Sequence, residues 1–400
     1  MLKKASAFIL LFAALSFAFS ARAVSAKAYA LVDQASGRLI CGQNTDLKLP
    51  MASTTKIMTA LIACESGKLD MTFTVDPDAV RVEGSSMGLL PGERITLREL
   101  VYGLLLESGN DAANAIAYEL GGSIPGFADM MNKRAKQLGL SNTHFINPSG
   151  LDASGHYTTA LDLARLGAYA MKNPDFARIS GTKKMCISYN GIKNGRTLYN
   201  HNKLLSSVDG INGIKTGFTK KSGRCLVSSA TRGGVSLVVA TLDDPDDWDD
   251  HEQFLDYGFK LLKCHALLNG PLNISAKVVG GTVGTIKAEY DVSVSAALSD
   301  SEAGGVTMEI DMPGFIYAPV KKGQKIGELV FKVNGQAVAV SPLTAAQGIT
   351  AQCAGADAGG RGFINSVIIL VAGAAVFFII NRFFGSRKAA LGIVRRLKEK

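Results

Sequence analysis

The stretch that decides the fold of this chain is GIKTGFTKKSGRCLVSSATRGGVSLVVATL, residues 213–242. It contains three segments of strand-like composition, 213–218, 224–231 and 235–242. The segments are separated by short connections that contain Ser222-Gly223 and Gly233-Gly234. Connections of this kind are typical of tight turns between antiparallel strands. The stretch therefore predicts three neighbouring strands of one antiparallel sheet.

Upstream, the chain begins with strands and continues with helices. Short apolar segments at 28–32 and 38–41 flank Ser36-Gly37, which is typical of a hairpin. Apolar residues at helical spacing then predict six helices, at 52–63, 97–106, 111–120, 127–138, 159–171 and 251–262. The economical assembly of residues 27–265 is an antiparallel sheet built from both ends of this segment, with helices on its faces, which is an α+β fold.

Beyond about Gly270 the helical pattern is absent. Apolar and polar residues alternate over 291–298, 306–312 and 325–340, so residues 270–352 are predicted to form a small all-β domain. Residues 353–362 are rich in glycine and are expected to form a flexible linker.

The N-terminal residues 1–26 have the three parts of a secretory signal peptide: a basic start, an apolar run and small residues at the end. Ala21-Arg-Ala23 and Val24-Ser-Ala26 both fit the small-x-small pattern of a cleavage site. The alternative, an uncleaved anchor, is disfavoured because the apolar run is short for a membrane span.

The C-terminal residues 363–380 form a second apolar run, about 27 Å long as a helix. This length suits a single transmembrane helix, and the basic residues of 381–400 favour a cytoplasmic tail. A surface-lying amphipathic helix is the alternative, but the run lacks a polar face. Together the two ends predict a cell-membrane protein with a single-pass C-terminal anchor and its catalytic domain on the extracytoplasmic side.

The formal net charge of +9 comes from these two ends. Residues 1–26 contribute +3 and residues 381–400 contribute +6, so residues 27–380 carry no net charge. A neutral globular part disfavours nucleic acid as a partner. The cysteines and histidines show no metal-ligand spacing, so no metal and no cofactor are expected.

Three short motifs follow one another in the chain: Ser53-Thr-Thr-Lys56, Ser108-Gly-Asn110 and Lys215-Thr-Gly217. The first places a hydroxyl and an amine on one face of a predicted helix, where a lysine of lowered pKa can serve a serine as base. The second lies in the gap between two predicted helices, where side chains can point into a cleft. The third lies on a predicted strand, where glycine permits close backbone approach. Each motif alone is common, and their order on these three element types is what is specific.

Residues 27 to about 350 resemble the low-molecular-mass penicillin-binding proteins, the serine-type D-alanyl-D-alanine carboxypeptidases of peptidase family S11. Further stretches carry the same resemblance: Asp33-Gln-Ala-Ser-Gly37, Pro50-Met-Ala-Ser53, Glu83-Gly-Ser-Ser86, Phe145-Ile-Asn-Pro-Ser-Gly-Leu-Asp152, Tyr157-Thr-Thr159, Asn202-Lys-Leu-Leu205 and Leu255-Asp-Tyr-Gly-Phe259. The resemblance implies a β-lactamase/transpeptidase-like catalytic domain. It also implies a peptidoglycan stem peptide ending in D-Ala-D-Ala as substrate, and β-lactams as inhibitors.

The resemblance also implies roles for the motif residues. Ser53 is the implied nucleophile, Lys56 its general base, and Ser108 the proton relay to the leaving D-Ala. Asn110 orients the acyl chain and Lys215 is the electrostatic partner of Ser108. The other implied roles concern substrate binding: Thr216 for the terminal carboxylate, Gly217 for close approach of the strand, and the backbone N–H groups of Ser53 and Phe218 for the oxyanion.

Three alternatives share parts of this pattern. A β-lactamase normally lacks a second β domain, and no Glu-x-x-x-Asn segment between Asn110 and Lys215 supplies its deacylating base. A transpeptidase differs only in the acceptor of the acyl group. A non-catalytic penicillin-binding sensor or wall-binding protein is disfavoured by the intact motifs. One departure concerns the substrate carboxylate: family members often carry an arginine shortly before the Asp-Tyr-Gly stretch, where this chain has the acidic residues 243–252.

Overall fold

The computed structural model describes residues 24–189 and 192–352. Most of the predicted signal peptide lies outside these residues, as do the linker 353–362, the predicted span 363–380 and the basic tail 381–400. Within the described ranges, no helix is both long and apolar enough to span a membrane.

The helices alternate with strands through the first two thirds of the chain. The helices are α1 Lys56–Glu65, α2 Leu97–Leu106, α3 Asn110–Gly121, α4 Ile124–Gln137, α5 Ala160–Ala170, α6 Pro174–Ser180, α7 Leu204–Ser207, α8 Asp247–Leu261 and α9 Asp300–Ala303, and a 3-10 helix, Ala52–Thr55, leads into α1. The strands are β1 Ala28–Asp33, β2 Leu39–Gln43, β3 Thr72–Thr74, β4 Arg94–Thr96, β5 Lys184–Tyr189, β6 Ile192–Tyr199, β7 Ile211–Thr219, β8 Gly223–Arg232, β9 Val235–Leu242, β10 Lys263–Ala266, β11 Ser275–Val279, β12 Thr285–Glu289, β13 Ser295–Leu298, β14 Thr307–Asp311, β15 Ile316–Tyr317, β16 Lys325–Val333 and β17 Gln336–Ala345.

The central sheet has the strand order β2-β1-β9-β8-β7, and every pair in it is antiparallel. The predicted pairing of the three strands in 213–242 is confirmed. The N-terminal hairpin joins the same sheet, as predicted, through the pairing of β1 with β9. Strand β7, which carries the Lys-Thr-Gly motif, lies at one edge. That edge leaves the motif free to face a neighbouring element or a bound peptide.

Alternate residues of the sheet pack on opposite faces, as the two-residue period of a strand requires. In β9, Val238 and Ala240 join the large core formed with α1, α2, α3 and α5, whereas Leu237 and Val239 pack with Phe254 of α8. The sheet is therefore covered by helices on both faces, and the predicted α+β class is confirmed.

The described chain divides into two compact units. The first contains the residues up to 272 together with 290–312 and 327–343, and the second contains 273–289, 313–326 and the described residues from 344. Past α8 almost all regular structure is strand, as the alternating pattern predicts. In the second unit β12 pairs antiparallel with β11, which pairs parallel with β15.

Several predicted boundaries differ from the structure. The run 325–340, predicted as one alternating segment, is two strands joined at Asn334-Gly335, both with positive φ, because Asn-Gly favours a tight hairpin turn. Only 295–298 of the segment 291–298 is a strand. Helix α8 starts at Asp247 rather than 251, because acidic residues in its first turn stabilise a helix N-terminus. The β5–β6 hairpin and α6 were not predicted.

Candidate active site

The 3-10 helix before α1 positions Ser53. Its first residue, Ala52, has φ +46°, a backbone conformation uncommon for a residue with a side chain. Gly150 packs against this turn, and a Cβ at Gly150 would lie 1.9 Å from the carbonyl oxygen of Ala52. Only glycine fits there, so the loop that contains Gly150 holds the turn that presents Ser53.

Lys56 lies one helical turn after Ser53, and its side chain is completely buried. Its Nζ lies within hydrogen-bonding distance of three oxygens: Ser53 Oγ at 2.9 Å, Asn110 Oδ1 at 2.7 Å and the carbonyl oxygen of Ser149 at 2.6 Å. The structure thus brings together the serine and lysine that the sequence singled out. The neutral amine can donate to Asn110 and to the Ser149 carbonyl, which leaves its lone pair to accept from the serine hydroxyl.

The surroundings of the buried Lys56 amine favour its neutral form. Burial lowers its pKa well below the usual value, and the positive charge of Lys215 lowers the pKa further, while Asp111 acts in the opposite direction. A neutral amine within hydrogen-bonding distance of a serine hydroxyl can take its proton. The pair therefore has the geometry of a nucleophile and its base, and the lowered pKa favours the neutral amine that this role requires.

Asn110 is the first residue of α3, not part of the connecting loop as the sequence predicted. Its side-chain amide donates to the carbonyl oxygen of Glu83 at 2.5 Å while Oδ1 accepts from Lys56. The neighbouring Asp111 is buried and accepts hydrogen bonds from the backbone N–H groups of Met87, Gly88 and Leu89. These bonds fasten the 83–89 loop to the start of α3, beside the lysine.

Ser108 lies between α2 and α3, as the sequence predicted, with φ +60° and a side chain that is almost fully buried. Lys215 on β7 is also buried, and its Nζ donates to the carbonyl oxygen of Thr216 at 2.9 Å. Burial lowers the pKa of Lys215 to about 7. The charge of Lys215 acts on two groups. It lowers the pKa of Lys56, and it adds to the larger effect of burial in lowering the pKa of His201.

Strand β7 runs directly against the turn that carries Ser53. A Cβ at Gly217 would lie 3.0 Å from the backbone nitrogen of Ser53 and 3.1 Å from that of Thr54. A side chain at this position would push the strand away from the serine, so glycine sets the spacing between the two elements. Phe218 follows with a side chain that is mostly exposed, and Thr216 is partly exposed.

Several groups of the site were not singled out by the sequence analysis. The carbonyl oxygen of Ser149 accepts a hydrogen bond from the Lys56 amine. Asp111 accepts hydrogen bonds from the backbone of the loop that contacts Asn110. The stretches 145–152 and 83–86 were recognised only as family-like sequence. A backbone carbonyl carries no residue-type signal, so its contribution could not be read from the sequence.

Arg224 is the remaining feature that the sequence analysis missed. In the β7–β8 register it lies opposite Phe218. Its Nε and Nη2 donate to Asp247 Oδ1 at 3.0 and 2.7 Å, and its guanidinium lies over the Trp248 ring. Both bonds use one edge of the planar group, so the Nη1 edge faces away from Asp247. An orientated cation therefore lies beside Phe218, at the active-site end of β7.

The fold and this site define the class of active-site serine penicillin-binding proteins. The family model described as D-alanyl-D-alanine carboxypeptidase, peptidase S11, matches residues 16–246, and that of the penicillin-binding protein 5 C-terminal domain matches residues 273–351. The chain belongs to the D-alanyl-D-alanine carboxypeptidase family S11, as the motifs predicted.

Named relatives and solved structures agree. The chain is 34% identical over 330 residues to D-alanyl-D-alanine carboxypeptidase DacF of Bacillus subtilis, a match covering 80% of this chain and 85% of the relative. It is 35% identical over 370 residues to DacC of Escherichia coli, covering 84% and 88%. The structure of penicillin binding protein 5 from Haemophilus influenzae matches with a TM-score of 0.62 at 27% identity, covering 82% and 98%. A mutant of the Streptomyces K15 DD-transpeptidase matches with a TM-score of 0.57 at 33% identity, covering 60% and 99%.

Proposed function

We infer that this protein is a serine-type D-alanyl-D-alanine carboxypeptidase that removes the terminal D-Ala from peptidoglycan stem peptides. The observation that carries the mechanism is the fully buried Lys56 amine, whose pKa burial lowers, 2.9 Å from Ser53 Oγ. Family membership supplies the substrate class, D-Ala-D-Ala, and β-lactams as inhibitors that acylate the same serine.

Acylation begins with proton transfer from Ser53 Oγ to Lys56 Nζ as Oγ attacks the penultimate D-Ala carbonyl carbon. The carbonyl oxygen becomes the oxyanion, and the backbone N–H groups of Ser53 and Phe218 are its proposed donors. The approach of β7 to the serine turn, set by Gly217, supports this placement. Preorganised donors of this kind are worth about 10²–10³ in rate each.

Collapse of the tetrahedral intermediate breaks the peptide C–N bond and expels D-Ala. Its amine is proposed to receive a proton through Ser108, which is buried, as are Lys56 and Lys215. Asn110, fixed between Lys56 and Glu83, orients the acyl chain. Water then attacks the ester carbonyl, Lys56 accepts the water proton, and the free acid leaves with Ser53 restored.

The terminal carboxylate of the substrate is expected to pair with a cation. Relatives often carry an arginine where this chain has the acidic residues 243–252, so another cation is needed here. We propose Arg224 for this role, together with the hydroxyl of Thr216. Arg224 lies opposite Phe218, and Asp247 and Trp248 hold its guanidinium in one orientation. A guanidinium fixed in this way can form a charge-assisted hydrogen bond with a carboxylate.

Replacing Arg224 by glutamine is expected to raise KM for a D-Ala-D-Ala peptide by about 10–100-fold, since a hydrogen bond to a charged group contributes about 1.5–3 kcal/mol. The value of kcat should change far less, because the reacting groups are untouched. Steady-state kinetics of D-Ala release measures both. Arg232→Gln is the matched control, since Arg232 ends the same strand and pairs with the exposed Asp256. Equal effects of the two variants would contradict the assignment.

The charge of Lys215 is expected to set the acid limb of the pH–rate profile. Lys56 acts as a base only when neutral, so acylation slows as pH falls through its pKa. Lys215, whose pKa is about 7, lowers the pKa of Lys56 when protonated. In Lys215→Gln the acid limb of kcat/KM should therefore move to higher pH. An unchanged limb, at whatever absolute rate, would show that the two amines are not coupled.

A DD-transpeptidase is the second candidate, favoured by the match to the Streptomyces K15 DD-transpeptidase. The acyl-enzyme is the same, and only the acceptor differs, an amine in place of water. The deciding experiment incubates purified protein with a D-Ala-D-Ala peptide, with and without an acceptor amine, and analyses the products. Release of D-Ala and the shortened peptide alone supports the carboxypeptidase, whereas a cross-linked product that dominates at equal acceptor supports the transpeptidase.

Labelling of the same purified protein with fluorescent penicillin addresses the remaining alternatives. Fluorescent penicillin labels a carboxypeptidase, a transpeptidase and a sensor, but a sensor releases no D-Ala. Rapid turnover of the penicillin would indicate a β-lactamase. Metal chelators are expected to leave D-Ala release unchanged, since no metal takes part in the proposed steps.

We also propose that the protein is held at the outer face of the cell membrane by residues 363–380. The apolar length of this run, and the basic residues that follow it, support the proposal. Protease treatment of sealed cells is expected to remove the catalytic domain and spare the tail after Arg382. Cleavage of that tail from outside would overturn the proposal.

A further inference from the structure

His156 is a buried histidine whose two ring nitrogens both have a partner. Nδ1 accepts a hydrogen bond from the backbone N–H of Ile146 at 3.0 Å, and Nε2 lies 2.8 Å from Thr55 Oγ1. Because Nδ1 is an acceptor, the single proton of the neutral ring is on Nε2, which therefore donates to Thr55. Burial, with a smaller contribution from His144, lowers the pKa of His156 to about 4, which favours this neutral ring.

Thr55 belongs to the turn that carries the proposed nucleophile. It is the last residue of the 3-10 helix Ala52–Thr55, it immediately precedes Lys56, and its side chain is completely buried. A Cβ at Gly150 would lie 2.9 Å from Thr55 Oγ1. The Thr55 hydroxyl therefore packs against the backbone of Gly150 and also accepts the hydrogen bond from His156.

The loop 145–156 contains the second partner of the Lys56 amine, the carbonyl of Ser149. Backbone hydrogen bonds between His144 and Tyr157, at 2.9 and 3.1 Å, close the two ends of this loop. These bonds fix where the loop leaves and rejoins the fold. The position of its middle depends on further contacts.

Two backbone carbonyls of the loop accept hydrogen bonds from side chains of α1. Ser149 accepts from the Lys56 amine at 2.6 Å, and Pro148 accepts from the Thr59 hydroxyl at 2.7 Å. The ring of His156 supplies a third hydrogen bond between the loop and this part of the chain. A carbonyl oxygen moves only with its rigid peptide unit, so displacement of the loop would move the Ser149 carbonyl relative to the amine.

The Ser149 carbonyl has a directional effect on the Lys56 amine. A neutral amine has two N–H donors and one lone pair. When Asn110 Oδ1 and the Ser149 carbonyl take the two donors, at 2.7 and 2.6 Å, the lone pair is directed to Ser53 Oγ. Loss of one acceptor lets the amine rotate, and the lone pair then faces the hydroxyl for less of the time. Misplacement of a reacting group by about 1 Å can cost about 100-fold in rate.

We propose that His156, as the Nε2–H tautomer, is a positioning residue for acylation. Its bond to Thr55 holds the loop 145–156 in the position that the carbonyl contact with Lys56 requires. The ring acts through these groups and touches no substrate. The proposal rests on the proposed function, because it concerns the base in the acylation step. It adds a residue outside the three motifs to those on which acylation depends.

The test measures penicillin labelling of the purified full-length protein over time at several penicillin concentrations. The concentration dependence separates the binding constant of the penicillin from the rate constant of acylation. His156→Asn keeps an acceptor for the Ile146 N–H, but its shorter side chain has no donor that reaches Thr55. We expect its acylation rate constant to fall by about 10–100-fold, with little change in the binding constant.

His144→Asn is the matched control, because His144 flanks the same loop and its ring bonds the carbonyl oxygen of Gly155, not the serine turn. It should acylate at close to the wild-type rate. Equal losses in His144→Asn and His156→Asn would show that the general stability of the loop, rather than the link to Thr55, sets the rate. That result would overturn the proposal.

Thr55 allows the same bond to be tested from its other end. Thr55→Val removes the acceptor and preserves the shape of the side chain, whereas Thr55→Ser keeps the hydroxyl. Thr55→Val should lose acylation rate as His156→Asn does, and Thr55→Ser should retain it. Because both losses come from one bond, the double variant Thr55→Val/His156→Asn should be no slower than either single variant. Losses that multiply, or a wild-type rate in Thr55→Val, would contradict the proposed role.

Two readings separate this result from folding and from the proposed function. The labelled fraction at saturating penicillin reports how much of each variant is folded, so an unstable variant loses amplitude rather than rate. D-Ala release by the wild type alone tests the proposed function. A wild type that is labelled but releases no D-Ala would overturn the carboxypeptidase, and the acylation rates of the variants would still decide the role of His156.

Discussion

Replacing Ser53 by alanine is expected to abolish covalent penicillin labelling and to lower the rate of D-Ala release by about 10⁶-fold. The hydroxyl is the only group proposed to form the acyl-enzyme, and without it neither acylation nor the later attack of water on the ester can occur. Residual turnover of about 10³–10⁴ over water would come from substrate binding and the oxyanion donors. Labelling is read on gels with fluorescent penicillin, and D-Ala is assayed after incubation with the peptide.

Ser66→Ala is the matched control for this prediction, because Ser66 caps the end of the same helix and lies outside the proposed machinery. It should label and release D-Ala at the wild-type rate. Heat stability of both variants is followed by circular dichroism, to establish that Ser53→Ala is folded. Persistent labelling of folded Ser53→Ala would end the nucleophile assignment.

Replacing Lys56 by methionine is expected to slow acylation by about 10³–10⁴-fold, toward the upper end of what a positioned general base contributes. Burial lowers the pKa of this amine well below its usual value, which favours the neutral form, so its removal is not expected to delete a charge pair. Two buried acceptors, Asn110 Oδ1 and the Ser149 carbonyl, lose a donor, which costs about 1–3 kcal/mol each. Removal of the buried amine, itself costly to desolvate, offsets part of this loss, so the variant is expected to fold.

The time course of penicillin labelling measures this effect, and the pH dependence distinguishes its cause. The wild-type acylation rate should fall as pH falls through the pKa of Lys56, whereas Lys56→Met should lack that limb. Lys172→Met serves as control, since the exposed Lys172 bonds only the carbonyl oxygen of Ala35 and lies outside the proposed machinery. A Lys56→Met rate within tenfold of wild type would require a different base for Ser53.

Elements with strong local signals were predicted well. The three strands of 213–242 were found from their composition and glycine-containing turns, and α2 was predicted to the residue from its apolar spacing. Burial on a single face creates these patterns, so they survive without knowledge of the fold. The motif serine and lysine lie side by side, as expected for residues three apart on a helix, which share a face.

Elements whose signal depends on their neighbours were missed. The predicted start of α8, at 251, omits the acidic first turn, although three of its aspartates stabilise the helix N-terminus. Asn110 was placed in a loop because Ser108-Gly109 interrupts the apolar pattern, yet α3 starts at Asn110 itself. The β5–β6 hairpin lacks a clear alternation of buried and exposed residues, so sequence periodicity could not reveal it.

The sequence by itself determined the class of fold, the three motifs and the family, because each depends on residue types at short spacings. Only the tertiary structure decided that the pKa of Lys56 is lowered, since the shift arises from burial and from Lys215, 159 positions away in the chain. It alone placed the Ser149 carbonyl on the amine, and Arg224 opposite Phe218. It also showed His156 bonded to Thr55. Long-range contacts set local electrostatics and backbone placement, and no short-range pattern in the chain encodes them.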